Sequence, residues 1–93
     1  MSQILPSSLS LKVLTPRALL VEAEADEVSL PSLEGYIGIL PGHRPLLVAL
    51  GKGQISYRSA GEKEQYSVDG GYAEILPDRV TVFTEINEDE QNP

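Results

Sequence analysis

Short runs of alternating apolar and polar residues, each ended by turn-forming residues, constrain the fold of this chain more than any other feature of its sequence. The runs at 9–14 and 19–25 show the two-residue period clearly. That period is typical of a half-buried β-strand, and several such strands at spacings of about 8–12 residues indicate an all-β sandwich or barrel. No long window has the 3.6-residue period of a helix. The sequence therefore predicts an all-β fold, a flattened antiparallel β-sandwich or barrel of about 8–10 short strands.

The predicted strands share this period and these boundaries. They cover residues 9–14, 19–25, 28–30, 36–40, 46–50, 54–58, 65–69, 72–76 and 80–83. Turns are predicted where glycine or proline separates two runs, among them Gly51-Lys52-Gly53 and Gly70-Gly71. The sandwich domain is expected to span residues 1–86 and to be followed by an acidic, flexible tail at 87–93.

The stretch from residue 35 to residue 47 alternates bulky and missing side chains. Gly35 and Gly38 bracket Tyr36, and a turn then surrounds His43, the chain's only histidine. The residues predicted to shape turns, here and at the later glycine pair, are Gly35, Pro41, Gly42, Pro45, Gly70 and Gly71. Glycine within a strand usually marks a bend, a bulge or the close approach of another backbone. The stretch is therefore either an awkward corner of the core or a surface built for contact.

Composition excludes several classes of function. The 93 residues suffice for one small domain and contain no cysteine, which rules out disulfides, thiolate metal sites and thiol nucleophiles. No run of 18 apolar residues and no signal-peptide pattern is present, so we expect a soluble domain of cytoplasmic type. Seven basic and fourteen acidic side chains give a net charge of −7, which disfavours binding to nucleic acid or to anionic lipid.

The residues give little support to catalysis. A single histidine, His43, cannot build a two- or three-histidine metal site, and no strand–turn–helix elbow presents a serine to it. Gly51-Lys52-Gly53 lacks the spacing of a phosphate-binding loop. We therefore predict no catalytic residue, metal or cofactor. The residues alone indicate an acidic β-sandwich that binds another protein through 35–47. A carbohydrate- or peptide-binding module and a small hydrolase using His43 stay open as alternatives.

Five segments, taken in order, carry a resemblance to a known family. They are residues 11–16, 25–32, 35–47, 70–75 and 80–83. The run Gly-Tyr-Ile-Gly-Ile-Leu-Pro-Gly-His-Arg-Pro-Leu-Leu at 35–47 is the most specific of them. Together they resemble the N-terminal β-sandwich domain of the epsilon subunit of F-type ATP synthases, which is called delta in mitochondria.

This resemblance implies a non-catalytic rotor subunit that is monomeric alone and peripheral to the cytoplasmic face of a bacterial inner, or thylakoid-type, membrane. In the family, one surface packs on the gamma subunit and one end rests on loops of the c-ring, which couples proton-driven rotation to ATP synthesis. By position, Thr15, His43 and Val48 match residues that face gamma. Tyr36 and Gly38 match the c-ring contact, although many members carry an acidic residue where Tyr36 stands.

Members of the family usually continue into a hairpin of two helices that can inhibit ATP hydrolysis and in some cases binds ATP. Here the sequence ends at Pro93, after an acidic run without helical periodicity. This is a departure from the family, and we therefore expect that the chain does not carry out helix-based inhibition or bind a nucleotide cofactor.

Overall fold

The computed structural model describes residues 6–85, and the acidic tail predicted at 87–93 lies outside them. Within the described residues the elements are β1 (Leu9–Leu14), β2 (Leu19–Ala25), β3 (Glu27–Ser32), β4 (Gly35–Ile39), β5 (Leu46–Ser59), β6 (Glu62–Leu76) and β7 (Arg79–Phe83). All seven strands belong to one sheet in the order β2-β1-β7-β6-β5-β3-β4. No helix in this part of the chain is long and apolar enough to cross a membrane. The all-β prediction is confirmed.

The sheet closes around a single core. Its buried residues are Leu9, Leu11, Val13, Val21, Ala25, Val28, Leu30, Ile39, Leu50, Ile55, Tyr57, Val68, Ala73, Ile75, Val80 and Val82. Every one of the seven strands contributes to this cluster, as expected where a twisted sheet folds over on itself. The ladders are antiparallel except that β1 and β7 run parallel, with Leu11 beside Val80. The sheet is therefore mixed, and not purely antiparallel as predicted.

Two strands are far longer than predicted, which lowers the strand count. β5 has 14 residues and β6 has 15, and they pair in one register from Leu46 and Ile75 to Ser59 and Glu62. The turns predicted at Gly51-Lys52-Gly53 and Gly70-Gly71 do not occur, because the chain passes through both as strand. Glycine was misleading here, since it also serves where a strand bends.

The glycines instead mark the place where β5 and β6 exchange their buried faces. Leu50 is buried before Gly51 on β5, whereas Ile55 and Tyr57 are buried after Gly53. The buried positions thus change from even to odd numbers along the strand. β6 shows the same change between Val68 and Ala73. Both long strands therefore pass from one layer of the sandwich to the other, in the manner of strands that form a sandwich corner.

The ladder between β3 and β5 is interrupted at the same corner. Ser29 pairs with Ser56 and Ser32 pairs with Leu50, so that three residues along β3 face six along β5. Pro31 lies inside the interruption and has no amide hydrogen to donate. This gap leaves part of the β5 backbone available to other partners.

Candidate docking surface

The turn that carries His43 is fixed to its neighbours by backbone hydrogen bonds. The Gly42 amide donates to the Pro77 carbonyl over 2.7 Å, and the His43 amide donates to the Leu40 carbonyl over 3.1 Å. Nδ1 of His43 lies 2.6 Å from the Arg44 carbonyl oxygen. Because that oxygen can only accept, Nδ1 is the donor of this hydrogen bond. His43 is thus held at the β6–β7 end of the sheet.

Thr15 occupies an equally well-defined turn between β1 and β2. Its amide donates to the Ala18 carbonyl over 2.9 Å. Its Oγ1 accepts hydrogen bonds from the amides of Arg17, at 3.2 Å, and Ala18, at 3.1 Å. A threonine hydroxyl that caps its own turn in this way fixes the local backbone. The half-buried Thr15 side chain therefore has a structural role already within the chain.

A row of apolar residues crosses five strands near the Thr15 turn. Following the register from β5 to β2, the apolar row consists of Ala49, Tyr72, Phe83, Leu14 and Leu19. The rings of Tyr72 and Phe83 stack with centroids 5.0 Å apart. Leu14 is half-buried, and the other four are exposed. Since these residues point away from the core, they cover nothing in the described part of the chain.

The apolar row borders an open groove of about 380 Å³. The groove is lined by Leu14, Thr15, Pro16, Asp69, Gly71, Tyr72, Phe83, Thr84 and Glu85. Thr84 is buried and closes its floor, with the amide donating to the Leu14 carbonyl over 2.9 Å and Oγ1 donating to the Gly70 carbonyl over 2.7 Å. Asp69 and Glu85 give the groove an acidic rim.

A polar row lies beside the apolar one and limits it. From β6 to β2, the next row on the same face consists of Glu74, Thr81, Lys12 and Glu22. Lys12 Nζ and Glu22 Oε2 are 3.7 Å apart, and both side chains are largely exposed. This row begins, on β5, with Leu47, which is paired with Glu74 and is 69% exposed.

Leu47 connects the apolar row to the His43 turn. It lies two residues before Ala49 on the same face of β5, and exposed Leu40 and Leu46 flank the turn. We use the name apolar face for Leu47 and the apolar row together, since the alternation along β5 places Leu46 on the other side of the strand. Contiguous exposed apolar surface of this kind is unusual on a monomer and marks a place of contact with a partner. The geometry thus defines a docking surface with no feature of catalysis.

The structure does not bring the three predicted gamma contacts into one cluster. Thr15 and His43 lie at the two ends of the apolar face, separated by the five residue steps from Tyr72 on β6 to Pro77 just after it, about 17 Å at the usual rise of a strand. Val48 is half-buried and packs against the core, so its side chain points away from this face. The surface thus includes both turns and omits Val48.

Tyr36 and Gly38 lie elsewhere, on the outermost strand β4. Tyr36 is 63% exposed, and its hydroxyl accepts a hydrogen bond of 3.1 Å from the Gln54 amide, at the interruption of the β3–β5 ladder. The ring can lie there because Gly53 has no side chain. Gly38 has open space where a Cβ would stand. Both residues face outward at the edge of the sheet.

Replacing Gly53 with alanine is expected to dislodge Tyr36. An added Cβ would stand 2.6 Å from the Tyr36 hydroxyl oxygen and 2.8 Å from Cβ of Pro31. We expect Gly53→Ala to lower the free energy of unfolding by about 1–3 kcal/mol, the usual cost of overpacking. We also expect it to accelerate hydrogen exchange at the Gln54 amide, measured by NMR.

Gly51→Ala is the matched control on the same strand, because its Cβ would meet only Leu33 Cδ2, at an ordinary 3.5 Å, and the Ser32 carbonyl oxygen. Equal losses of stability in the two variants would contradict the assigned role of Gly53.

The sequence interpretation missed the apolar row. Its signal was present in part, since Leu14, Tyr72 and Phe83 are apolar at positions where the alternation of their strands places solvent-facing residues. Leu19 alternates with the buried residues of β2 and joins the row through the irregularity of the β1–β2 ladder. What could not be derived was their alignment, which depends on the parallel β1–β7 pairing and on the change of buried face along β6.

One tyrosine outside this surface, Tyr57, has a shifted pKa. Tyr57 and Tyr66 stack nearly parallel with centroids 6.5 Å apart. Burial raises the pKa of the Tyr57 hydroxyl above its usual range, with smaller contributions from Tyr66 and Glu64. Desolvation disfavours the charged phenolate. The hydroxyl therefore stays neutral at physiological pH, and it has a structural role.

The described residues define a class of protein before any relative is considered. They form a small, acidic, all-β domain with a contiguous apolar docking face. No group of three or more histidine, cysteine, aspartate or glutamate residues among 6–85 is placed to hold a metal ion. The sequence profile described as "ATP synthase, Delta/Epsilon chain, beta-sandwich domain" matches residues 8–90. The chain belongs to this family.

Individual relatives agree with the family match. The chain is 44% identical over 84 residues to the ATP synthase epsilon chain of Solibacter usitatus, covering 90% of this chain and 63% of the relative. It is 43% identical over 77 residues to the ATP synthase epsilon chain of Koribacter versatilis, covering 83% of this chain and 54% of the relative. The chain thus spans less than two thirds of the length of these relatives.

Solved structures share the fold. A chain in the mitochondrial ATP synthase of Euglena gracilis, solved with OSCP, F1 and c-ring, superposes with a TM-score of 0.82 at 22% identity and covers 97% of this chain and 62% of that chain. A chain in the central stalk and c-ring of the Tetrahymena thermophila mitochondrial enzyme gives 0.70 at 12% identity, covering 87% of this chain and 66% of that chain. At these identities the likeness concerns the fold alone.

Proposed function

We propose that this chain is a non-catalytic rotor subunit of an F-type ATP synthase, which binds the gamma subunit and the c-ring and so couples proton-driven rotation to ATP synthesis. Two observations support this proposal. The chain belongs to the delta/epsilon family, whose relatives at 40–44% identity are named ATP synthase epsilon chains. The single structural observation that carries the proposal is the apolar face, which is a docking surface without catalytic groups.

The apolar face is the proposed contact with gamma. The turns of Thr15 and His43 lie at its two ends, and both are residues that the family resemblance assigns to gamma. Aromatic and aliphatic residues at the centre of an interface usually contribute most of the binding energy. Tyr72, Phe83 and Leu47 are therefore the proposed anchors, with the hydrogen-bonded turns setting the outline of the contact.

Val48 requires a different role from the one its position in the family suggests. Its side chain is half-buried against the core, so it anchors β5 from the core side and does not reach the exposed face. Its neighbours Leu47 and Ala49 present the exposed face of the same segment. We propose that Leu47 makes the contact with gamma at this point of β5.

Tyr36 and Gly38 are the proposed contact with the c-ring. The Gln54 amide holds the Tyr36 hydroxyl, which keeps the exposed ring in a defined place. Gly38, two residues on along the same face of β4, leaves the neighbouring surface flat. This end of the domain offers a neutral, polar-tipped platform for the c-ring loops where many family members have a carboxylate.

The proposed location follows from the partners. A subunit bound to gamma and the c-ring is peripheral to the membrane and is attached through the complex. We place it on the cytoplasmic face of a bacterial inner membrane, or on the equivalent side of a thylakoid-type membrane. The solved complexes that contain chains of this fold, which include c-rings, support an assembly of this kind.

Native mass spectrometry of the purified chain with its cognate gamma subunit tests the proposal. We expect a 1:1 complex at about 10 µM, a concentration well above the dissociation constant of a standard-size interface. Addition of detergent-solubilised c-ring is expected to give a ternary complex. If the chain and gamma are detected only as separate species at this concentration, the proposed function is wrong.

A further inference from the structure

The side chain of Tyr36 lies across strand β3 and ends at β5. Pro31, its pairing partner on β3, is buried even though this pair of strands is at the edge of the sheet. The missing side chain of Gly53 leaves the space that the Tyr36 hydroxyl fills. The turn before Tyr36 is fixed as well, because Ser32 Oγ donates to the Gly35 carbonyl. Tyr36 is therefore held at its backbone, with its ring directed towards β5.

The hydroxyl of Tyr36 lies where the ladder between β3 and β5 is interrupted. Ser29 and Ser32 are the paired residues on either side of the interruption, and the Gln54 amide inside it donates to the Tyr36 oxygen over 3.1 Å. A phenolic hydroxyl also carries one hydrogen of its own to donate. Among residues 6–85 nothing accepts that hydrogen. Tyr36 therefore presents a fixed hydrogen-bond donor on a side chain that is 63% exposed.

We propose that Tyr36 donates this hydrogen to an oxygen acceptor on a polar loop of the c-ring, and that the hydrogen bond determines which loops the domain accepts. The acceptor is a backbone carbonyl or a carboxylate, since both take a hydrogen bond from a phenol. The inference rests on the proposed contact with the c-ring. It adds a direction to that contact, because this chain donates and the loop accepts.

Specificity follows from the water that a docking loop displaces. In the free chain the exposed hydroxyl can donate to solvent. A loop that covers Tyr36 removes this water, and a buried donor without an acceptor costs more free energy than a formed hydrogen bond contributes. A loop that offers only donors or only apolar groups at this point is therefore disfavoured, which is how a site built for a hydrogen bond rejects the wrong partner.

The surface beside the ring lets a loop approach the hydroxyl. Gly38 on β4 pairs with Ser29 on β3, which pairs with Ser56 on β5, so the row next to Tyr36 consists of small, uncharged residues on the same face. Nothing lies within 4 Å of the Cβ position of Gly38. The nearest charges along this face are in the following row, where Arg58 and Glu27 are 3.6 Å apart and largely offset each other. The Tyr36 donor therefore dominates the polarity of this surface.

Titration of the complex of this chain and its cognate gamma subunit with detergent-solubilised c-ring is the first test. Tyr36→Phe keeps the ring and removes the hydroxyl, and we expect about fivefold weaker binding of the c-ring, the usual value of one hydrogen bond. Tyr66→Phe is the matched control, because it removes the hydroxyl of another partly exposed tyrosine, one that stacks on Tyr57. We expect it to bind the c-ring like the wild type. Binding to gamma is expected to be unchanged in both variants.

A ring-fluorinated tyrosine in place of Tyr36 separates donation to the c-ring from a purely structural role. Fluorine makes the hydroxyl a stronger donor and a weaker acceptor. At a mildly acidic pH, where the phenol stays protonated, we therefore expect tighter binding of the c-ring, whereas a hydroxyl that only accepts from the Gln54 amide would give weaker binding.

The outcomes distinguish this inference from the proposed function. If the wild-type complex binds the c-ring but Tyr36→Phe binds equally well, or the fluorinated chain binds more weakly, the inference is overturned and the c-ring contact remains. If the wild-type chain binds gamma but the complex does not bind the c-ring, the inference and the proposed c-ring contact are both wrong.

Discussion

Gly71→Ala is expected to lower the free energy of unfolding by about 3 kcal/mol or more, which combines the cost of overpacking with that of a left-handed backbone for an L-residue. Gly71 has a φ of +112°, and a Cβ there would collide with the carbonyl oxygen of Phe83 and lie 2.8 Å from the Thr84 Cα. Phe83 ends the paired strand β7, and the amide of Thr84 after it is hydrogen-bonded to the Leu14 carbonyl, so neither backbone atom can move alone. Relief would require β6 and β7 to separate where Phe83 pairs with Tyr72.

Two other glycine variants separate the cost of the left-handed backbone from the cost of the steric clash. Gly61 has a φ of +82° but open space around its Cβ position, so Gly61→Ala is expected to cost only the backbone term, about 1 kcal/mol. Gly38 has neither strain nor a clash, so Gly38→Ala is expected to change stability by less than about 1 kcal/mol.

Thermal and urea unfolding of the three variants provide the measurement. For a domain of this size, a loss of 3 kcal/mol corresponds to a fall in Tm of about 12 °C or more. The expected order of destabilisation is Gly71, then Gly61, then Gly38. A Gly71→Ala protein as stable as Gly61→Ala would show that the close approach of β7 to Gly71 is not a feature of the folded chain.

The position of Gly71 also shows what the sequence could not reveal about the fold. Alternation and turn residues predicted an all-β domain correctly, because the two-residue period is a local property of each strand. The same rules placed turns at Gly51-Lys52-Gly53 and Gly70-Gly71, where the structure has continuous strands. A glycine that ends a strand and one that bends it look alike in sequence, and only the tertiary pairing separates them.

The site residues likewise include some that local sequence predicts and some whose direction depends on the pairing of strands. The turn around His43 was predictable, since proline and glycine act locally. The outward direction of Leu47 and the inward direction of Val48 follow from the pairing of β5 with Ala73 and Glu74 of β6. A shift of the pairing register by one residue moves every side chain of a strand to the opposite face of the sheet. A family position can therefore be assigned from sequence while the side chain that makes the contact is not.

Leu47→Glu is expected to weaken binding to gamma by about 30-fold or more, the loss typical of an interface hot spot. Leu47 lies at the junction between the apolar row and the His43 turn, so a buried carboxylate there would disrupt the apolar face where it meets the turn. Because the side chain is 69% exposed in the free chain, the substitution is expected to leave the fold intact. Titration calorimetry with purified gamma measures the affinity, and circular dichroism checks the fold.

Leu33→Glu is the matched control, since the same residue type at 71% exposure receives the same charge on the β3–β4 hairpin. Leu33 is not part of the apolar face, which its hairpin meets through the hydrogen bond from the Leu33 amide to the Ala49 carbonyl. We expect the Leu33→Glu variant to bind gamma within about threefold of the wild type, as substitutions outside a hot spot usually do. If instead Leu33→Glu loses affinity while Leu47→Glu keeps it, gamma binds through the β4 side of the domain. The apolar face would then need another occupant, because its stacked Tyr72 and Phe83 rings and its acidic-rimmed groove would remain uncovered in the complex.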